Sequence, residues 1–236
     1  LDIGQSVAVK EREIIAVDPE RIDMPKTPKK LPAYLSLDDL EKIMEQPDIR
    51  NPVGVRDRTI LEILYATAIE SRELLNLEIS DIDFLQKTLR IRATEYKKEH
   101  VLPLTDRAIQ WLTRYTLEIR PAMLRDSTCE SLFAGRYGRP LQEATLHETL
   151  RNHTMTALGK SYGCQIFRNS IAVVMLENGA DLRYVQEFLG HEVLASTQRY
   201  AKLTIGKLKE IHDQTHPAKL TPAKGEEVRK ELESPN

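Results

Sequence analysis

Apolar residues recur along this chain at two spacings, and the change from one to the other divides it into elements. Between Gln165 and Asn178 the positions Ile166, Phe167, Ile171, Val174 and Met175 return every three or four residues, the period of one helix face. Gly179 follows as a stop. Asp181 then caps a shorter helix carrying Leu182, Val185, Phe188 and Leu189, which Gly190 ends. His191 stands just past that end, and the polar run from Ser196 to Tyr200 begins a further helix.

The same reading extends upstream. Ser36, with Asp39 three residues later, opens a helix through Met44 that Pro47 closes. Arg56 to Ala68 carries Ile60, Leu61 and Leu64 on one face, and Arg72 to Leu77 gives a short helical turn. Ser80 to Phe84 reads as a turn, after which Thr88 to Arg92 alternates as a strand. A second strand, His100 to Leu104, pairs with it as a hairpin across the charged segment Glu95 to Glu99. Asp106 caps a helix through Ile109, Trp111, Leu112 and Tyr115; a loop spans Gly135 to Pro140; Thr145 to Leu158 is helical. Past Tyr200, Ile205, Leu208 and Ile211 form a stripe within a helix over 205–214, followed by a mobile tail over 217–236. Residues 1–34, punctuated by Pro19, Pro25, Pro28 and Pro32, read as an extended linker. No internal repeat is visible. The expected fold is mainly α with a small antiparallel β-sheet, an α+β domain over residues 35–216.

Composition narrows the function classes. A chain of 236 residues holds one good core with an appended segment. Its 34 basic and 36 acidic residues leave a formal charge of -2, so any nucleic-acid contact must come from local patches. The two cysteines, Cys129 and Cys164, lack metal-ligand spacing and read as free thiols of a reducing compartment. No apolar run reaches membrane-spanning length and no signal-peptide pattern opens the chain, so a cytoplasmic protein without a membrane partner is expected. It begins with Leu1, as a fragment of something longer would.

Three residues of the C-terminal stretch form a set with chemical meaning. Arg168 offers a planar fork of donors to a phosphate, His191 exchanges protons near neutrality, and Tyr200 carries a hydroxyl nucleophile. Singly, such residues are most often a surface charge, a helix cap and a core aromatic. Together they suggest attack on a phosphodiester.

Several separated motifs extend this picture in order: KKLPAYLSLDDLEKI, GVRDRTILEILYATAIESRELLNLEISDID, HVLPL, the stretch from Gln165 to Tyr200, and KLKEIHDQTHP. From about Lys29 to Pro217 the chain resembles the catalytic domain of the tyrosine recombinases, or phage integrases, of Xer type. The resemblance implies that fold, with residues 1–34 as linker and the remnant of an N-terminal DNA-clamping domain. It implies a mechanism without metal or other cofactor. Two arginines hold the scissile phosphate, a hairpin lysine protonates the leaving 5′ hydroxyl, two histidines assist, and the tyrosine forms a 3′-phosphotyrosyl link. On this pattern the second arginine is Arg168, the later histidine His191 and the nucleophile Tyr200. The implied partners are double-stranded DNA and a homo-oligomer on DNA or a related active recombinase; in the family the helix matching 205–214 packs on a neighbouring subunit.

Three matching positions depart from the pattern. Thr67-Ala68-Ile69-Glu70-Ser71-Arg72-Glu73-Leu74 aligns with Thr-Gly-Leu-Arg-x-x-Glu-Leu, so Glu70 occupies the place of the first arginine. Arg72, two residues on, points to a nearly opposite side of a helix and is a poor substitute. Counting back from Val101 puts Glu95 at the hairpin lysine, with Lys97 and Lys98 close enough to reach in after a loop shift. Gln165 replaces the first histidine and cannot exchange protons at neutral pH. Reversing a charge about 4 Å from a phosphate turns roughly 4 kcal/mol of attraction into repulsion at an effective dielectric of about 20. The expectation is a DNA-binding relative with impaired catalysis. An active recombinase of a mobile element, helped by Arg72, Lys97, Lys98 or a partner, and a helical interaction protein without DNA are the alternatives. DNA contacts are expected from Arg90, Arg92, Lys97, Lys98, Arg136, Arg139 and Arg168, with Lys26, Lys29 and Lys30 in the linker.

Overall fold

The structure is a computed structural model that describes residues 32–94, 97–124, 129–191 and 194–201. Side chains at Arg136, Leu194, Ala195, Arg199 and Ala201 lie outside the described set. Contacts divide the chain between Lys30 and Leu31, and all described residues fall on the C-terminal side of that point. The lysines of the N-terminal segment and the stripe of Ile205, Leu208 and Ile211 lie outside the described residues.

Local sequence explains where each early helix starts. Helix α1, Leu37–Met44, is capped by the Ser36 side chain, which accepts from the Asp39 amide at 3.2 Å; Leu40, Ile43 and Met44 are its buried face. Helix α2, Pro52–Thr67, begins four residues before the periodicity suggested, because Asn51 caps it and Pro52 takes the first position. Gly54 there is obligatory: a Cβ would stand 2.0 Å from the Asp48 carbonyl oxygen. Helix α2 ends at Ala68, a left-handed residue with φ 51°. Helix α3, Ser71–Leu75, follows.

The sheet has three antiparallel strands, not the two expected. Ser80–Phe84 is more than a turn: a 3-10 turn at Ile79–Asp81 leads into β1, Ile82–Asp83, which pairs with β2, Thr88–Ile91. A two-residue strand is too short to show alternation, so only pairing reveals it. Strand β3, His100–Pro103, completes the order β1-β2-β3, with Leu89 opposite Leu102.

Helix α4, Asp106–Arg114, is capped by Thr105, whose hydroxyl accepts from the Ala108 amide; Asp106 is its first residue and not its cap. Nor does the chain leave the helix at Tyr115. It widens into a π-turn over Tyr115–Ile119 and continues as α5, Arg120–Met123. The fully buried Tyr115 hydroxyl accepts from the Ala134 amide at 2.9 Å, fixing the segment before α6, Glu143–Leu158.

Helix α7, Cys164–Glu177, runs through the core, with Ile166 to Val173 all buried. Helix α8, Leu182–Phe188, is capped by Asp181 and stops before Gly190, at φ 62°. Helix α9, Leu194–Ala201, packs on α7 and α8 and carries Tyr200. The entering chain is held on α7 as well: the Leu35 amide donates to Ser170 Oγ at 2.8 Å, and Asn169 Nδ2 donates to the Ala33 carbonyl at 2.9 Å. Among the described residues no helix is long and apolar enough to cross a membrane.

Candidate active site

Arg168 lies on α7 with 3% of its surface exposed. Its guanidinium donates from Nη1 to the Ala68 carbonyl at 2.7 Å and from Nη2 to the Leu189 carbonyl. Those carbonyls belong to the ends of α2 and α8, so one arginine ties two helix ends over a third. The left-handed turn at Ala68 then delivers Glu70 to the same place, with Oε1 3.5 Å from Arg168 Nη2.

Lys97 approaches from the sheet. Its ammonium lies 3.3 Å from Glu70 Oε1 and 2.6 Å from Glu73 Oε1, and its side chain is 18% exposed. Gly190 permits this approach, since a Cβ there would come within 2.8 Å of Lys97 Cε. The hairpin end is tight, with Thr94 and Lys97 paired backbone to backbone; Glu95, between them, lies outside the described residues. Lys98 is exposed. Of the two lysines, Lys97 is the one inside the pocket.

The Glu70 carboxylate therefore sits between a guanidinium and an ammonium. Burial pushes its carboxyl up, but Lys97 and Arg168 outweigh that and hold it below the usual value of 4.5. It stays ionised at neutral pH. Glu73 Oε2 also accepts from the Glu70 amide at 2.8 Å, fixing the start of α3.

Arg72 differs from the rotational expectation. Glu70 precedes α3 with extended backbone, ψ 157°, so the 100° step of a helix does not separate the two residues. A cavity of about 370 Å³ is lined by Glu70, Arg72, His147, Gln165 and Arg168 among others. A second, of about 770 Å³, is lined by Glu70, Arg72, Arg90, Arg92, Lys97 and His191 among others. Arg72 borders both.

His191 Nδ1 pairs with Thr197 Oγ1 at 2.9 Å, and its carbonyl accepts from Gln186 Nε2 at 2.9 Å. The imidazole lies nearly parallel to the Tyr200 ring, with centroids 6.5 Å apart. Tyr200 is fully buried and lines neither cavity. Its hydroxyl donates to Asn169 Oδ1 at 3.0 Å, and Gln165 Nε2 donates to the same oxygen at 2.9 Å. Arg168, His191, Tyr200, Glu70, Gln165 and Lys97 thus converge, although the phenol is turned into protein.

Of the other cations singled out for DNA, Arg90 and Arg92 pair with Asp81, and Arg92 also with Glu78. Burial raises the Asp81 carboxyl, but hydrogen bonds from Arg92, the Glu78 amide and Arg90 leave it below its usual value. Arg139 is exposed, and Arg136 contributes only its described backbone, in a 3-10 turn. Sequence reasoning missed two residues. His147, four residues after Glu143 and 3.5 Å from it, borders the first cavity; its only signal was an i, i+4 pair in a helix. Asn169, next to Arg168, joins Tyr200, Gln165 and Ala33, and nothing in its own spacing announced that.

A family model described as the phage integrase family matches residues 33–206. This chain belongs to the phage integrase family, the tyrosine recombinases. Tyrosine recombinase XerD of Staphylococcus aureus is 36% identical over 212 residues, covering 89% of this chain and 71% of that protein. The crystal structure of XerA recombinase superposes with a TM-score of 0.68 at 26% identity, over 82% of this chain and 67% of that one. XerH site-specific recombinase, solved with its palindromic difH substrate after cleavage, gives 0.67 at 26% identity, over 78% of this chain and 53% of that one.

Proposed function

We propose that this chain binds double-stranded DNA as a recombinase-family protein acting in DNA recombination, with cleavage at Tyr200 impaired. The position of Glu70 carries the reading: an ionised carboxylate 3.5 Å from Arg168 and 3.3 Å from Lys97 occupies the charge environment a scissile phosphate would need. A phosphate entering there meets repulsion from Glu70 and cations already paired. Losing a single donor to a developing oxyanion costs about 100- to 1,000-fold in rate, and here two cations are compromised together. The burial of Tyr200 and the amide of Gln165 in place of an imidazole support the same reading.

In the unimpaired reaction, the Tyr200 phenol gives its proton to solvent as its oxygen bonds to phosphorus, and the bond from phosphorus to the 5′ oxygen breaks as Lys97 protonates that oxygen. The 3′ phosphate stays on tyrosine. Arg168 balances charge on the phosphoryl oxygens and His191 donates to one of them; no cofactor or metal enters. The partners in this reading are duplex DNA and either further copies of this chain or a related active recombinase.

A second reading, an active recombinase, draws on one observation. Lys97 sits in the pocket from a hairpin position two residues past the aligned one, where it can serve as the acid. Incubation with nicked suicide duplexes separates the two. Salt-sensitive binding without a covalent adduct supports impairment, and an adduct abolished by Tyr200→Phe supports activity.

A further inference from the structure

Asn169 is 7% exposed and uses both ends of its amide. Oδ1 accepts from the Tyr200 hydroxyl at 3.0 Å and from Gln165 Nε2 at 2.9 Å; Nδ2 donates to the Ala33 carbonyl at 2.9 Å. One residue on, Ser170 Oγ accepts from the Leu35 amide at 2.8 Å and donates to the Ile166 carbonyl at 2.7 Å. Two consecutive side chains of α7 therefore hold the chain that enters the domain, and one of them also holds the phenol. The amide cannot turn over without losing three bonds at once, because its donor and acceptor ends face matching partners.

We propose that Asn169 is a positioning residue that ties the Tyr200 hydroxyl to the entering segment Ala33–Leu35, so that displacing this segment releases the tyrosine. A neutral amide oxygen accepts a hydrogen bond but does not remove a proton at neutral pH, so the phenol on Asn169 is parked and not activated. Pulling Ala33 away removes one of the three bonds that fix the Asn169 amide, so the amide holds the Tyr200 hydroxyl less firmly. Residues 1–31 precede this segment in sequence, so an event that moves them on DNA acts on the tyrosine through Asn169. The inference rests on Tyr200 being the family nucleophile.

Tetranitromethane nitration of Tyr200 in the full chain, quantified by peptide mass spectrometry, tests it without requiring cleavage. Exposed Tyr137 and Tyr184 and buried Tyr115 serve as internal standards. Asn169→Leu should raise Tyr200 nitration about fivefold to tenfold, and Ser170→Ala, which removes the hold on the Leu35 amide and a bond within the helix but leaves Asn169 in place, about twofold or more. Reciprocally, Tyr200→Phe should speed hydrogen exchange at the Leu35 amide by a similar factor, since coupling runs both ways. Changed nitration of Tyr115 would mark general loosening and overturn the specific link. So would Tyr200 nitration and Leu35 exchange that ignore these substitutions. An adduct formed by the wild-type chain defeats impairment but leaves this link standing, so the two failures are distinguishable.

Discussion

Replacing Glu70 by glutamine changes one charge and almost no volume, and it separates the electrostatic account from a packing one. At 3.5 Å the interaction of Glu70 with Arg168 is about 5 kcal/mol at an effective dielectric near 20 and about 1 kcal/mol in water. The Glu70 side chain is 49% exposed, so solvent screening puts the value toward the lower figure, about 1–2 kcal/mol for each cation. Glu70→Gln frees that much attraction for a DNA phosphate. Affinity for duplex DNA should rise about tenfold near 100 mM salt. The slope of log K against log[salt] should also steepen by about 1 to 2, at roughly 0.9 per phosphate newly neutralised. Anisotropy titrations of a labelled duplex at four or five salt concentrations measure both. Unchanged affinity together with an unchanged slope would refute the claim that Glu70 competes with phosphate.

Further predictions come from the same charges. Lys97→Met should weaken DNA binding less than about threefold alone and about threefold to fivefold in the Glu70→Gln background, where Glu73 still pairs with the ammonium; a double-mutant cycle reads the difference. Glu62 is fully buried and pairs with both Arg58 and Arg107, so Glu62→Gln should cost about 3 kcal/mol in urea denaturation, chiefly at Arg58, since Arg107 keeps Glu41. Glu70 and Asp81 are held below their ordinary values of 4.5 and 3.8, so their stabilisation is present above those values and fades as pH falls through the lowered ones. The urea midpoint should accordingly lose this contribution only below about pH 4.5, and Asp81→Asn should flatten that acid limb.

Elements with a side-chain cap, α1 and α8, were legible from sequence, and α7 was legible from its apolar period alone. The misses have physical causes. Strand β1 is two residues long and exists only through its pairing with β2. The helix past Tyr115 is carried by a π-turn, whose changed period shifts the apolar stripe. At the site, the proximity of Arg168, His191 and Tyr200 was legible because the helices between them fold back on one another. Arg72 borders the same cavities as Glu70 because Glu70 lies before the helix begins, so a helical step does not separate the two. Asn169 was invisible because its partners, Ala33 and Tyr200, are 136 and 31 residues away.

The most direct test remains covalent capture. With wild-type protein saturating a nicked suicide duplex of its own recombination site, denaturing gels should show no Tyr200-linked DNA while anisotropy reports binding that weakens with salt. A denaturant-stable adduct in the wild type, lost in Tyr200→Phe, would contradict the account.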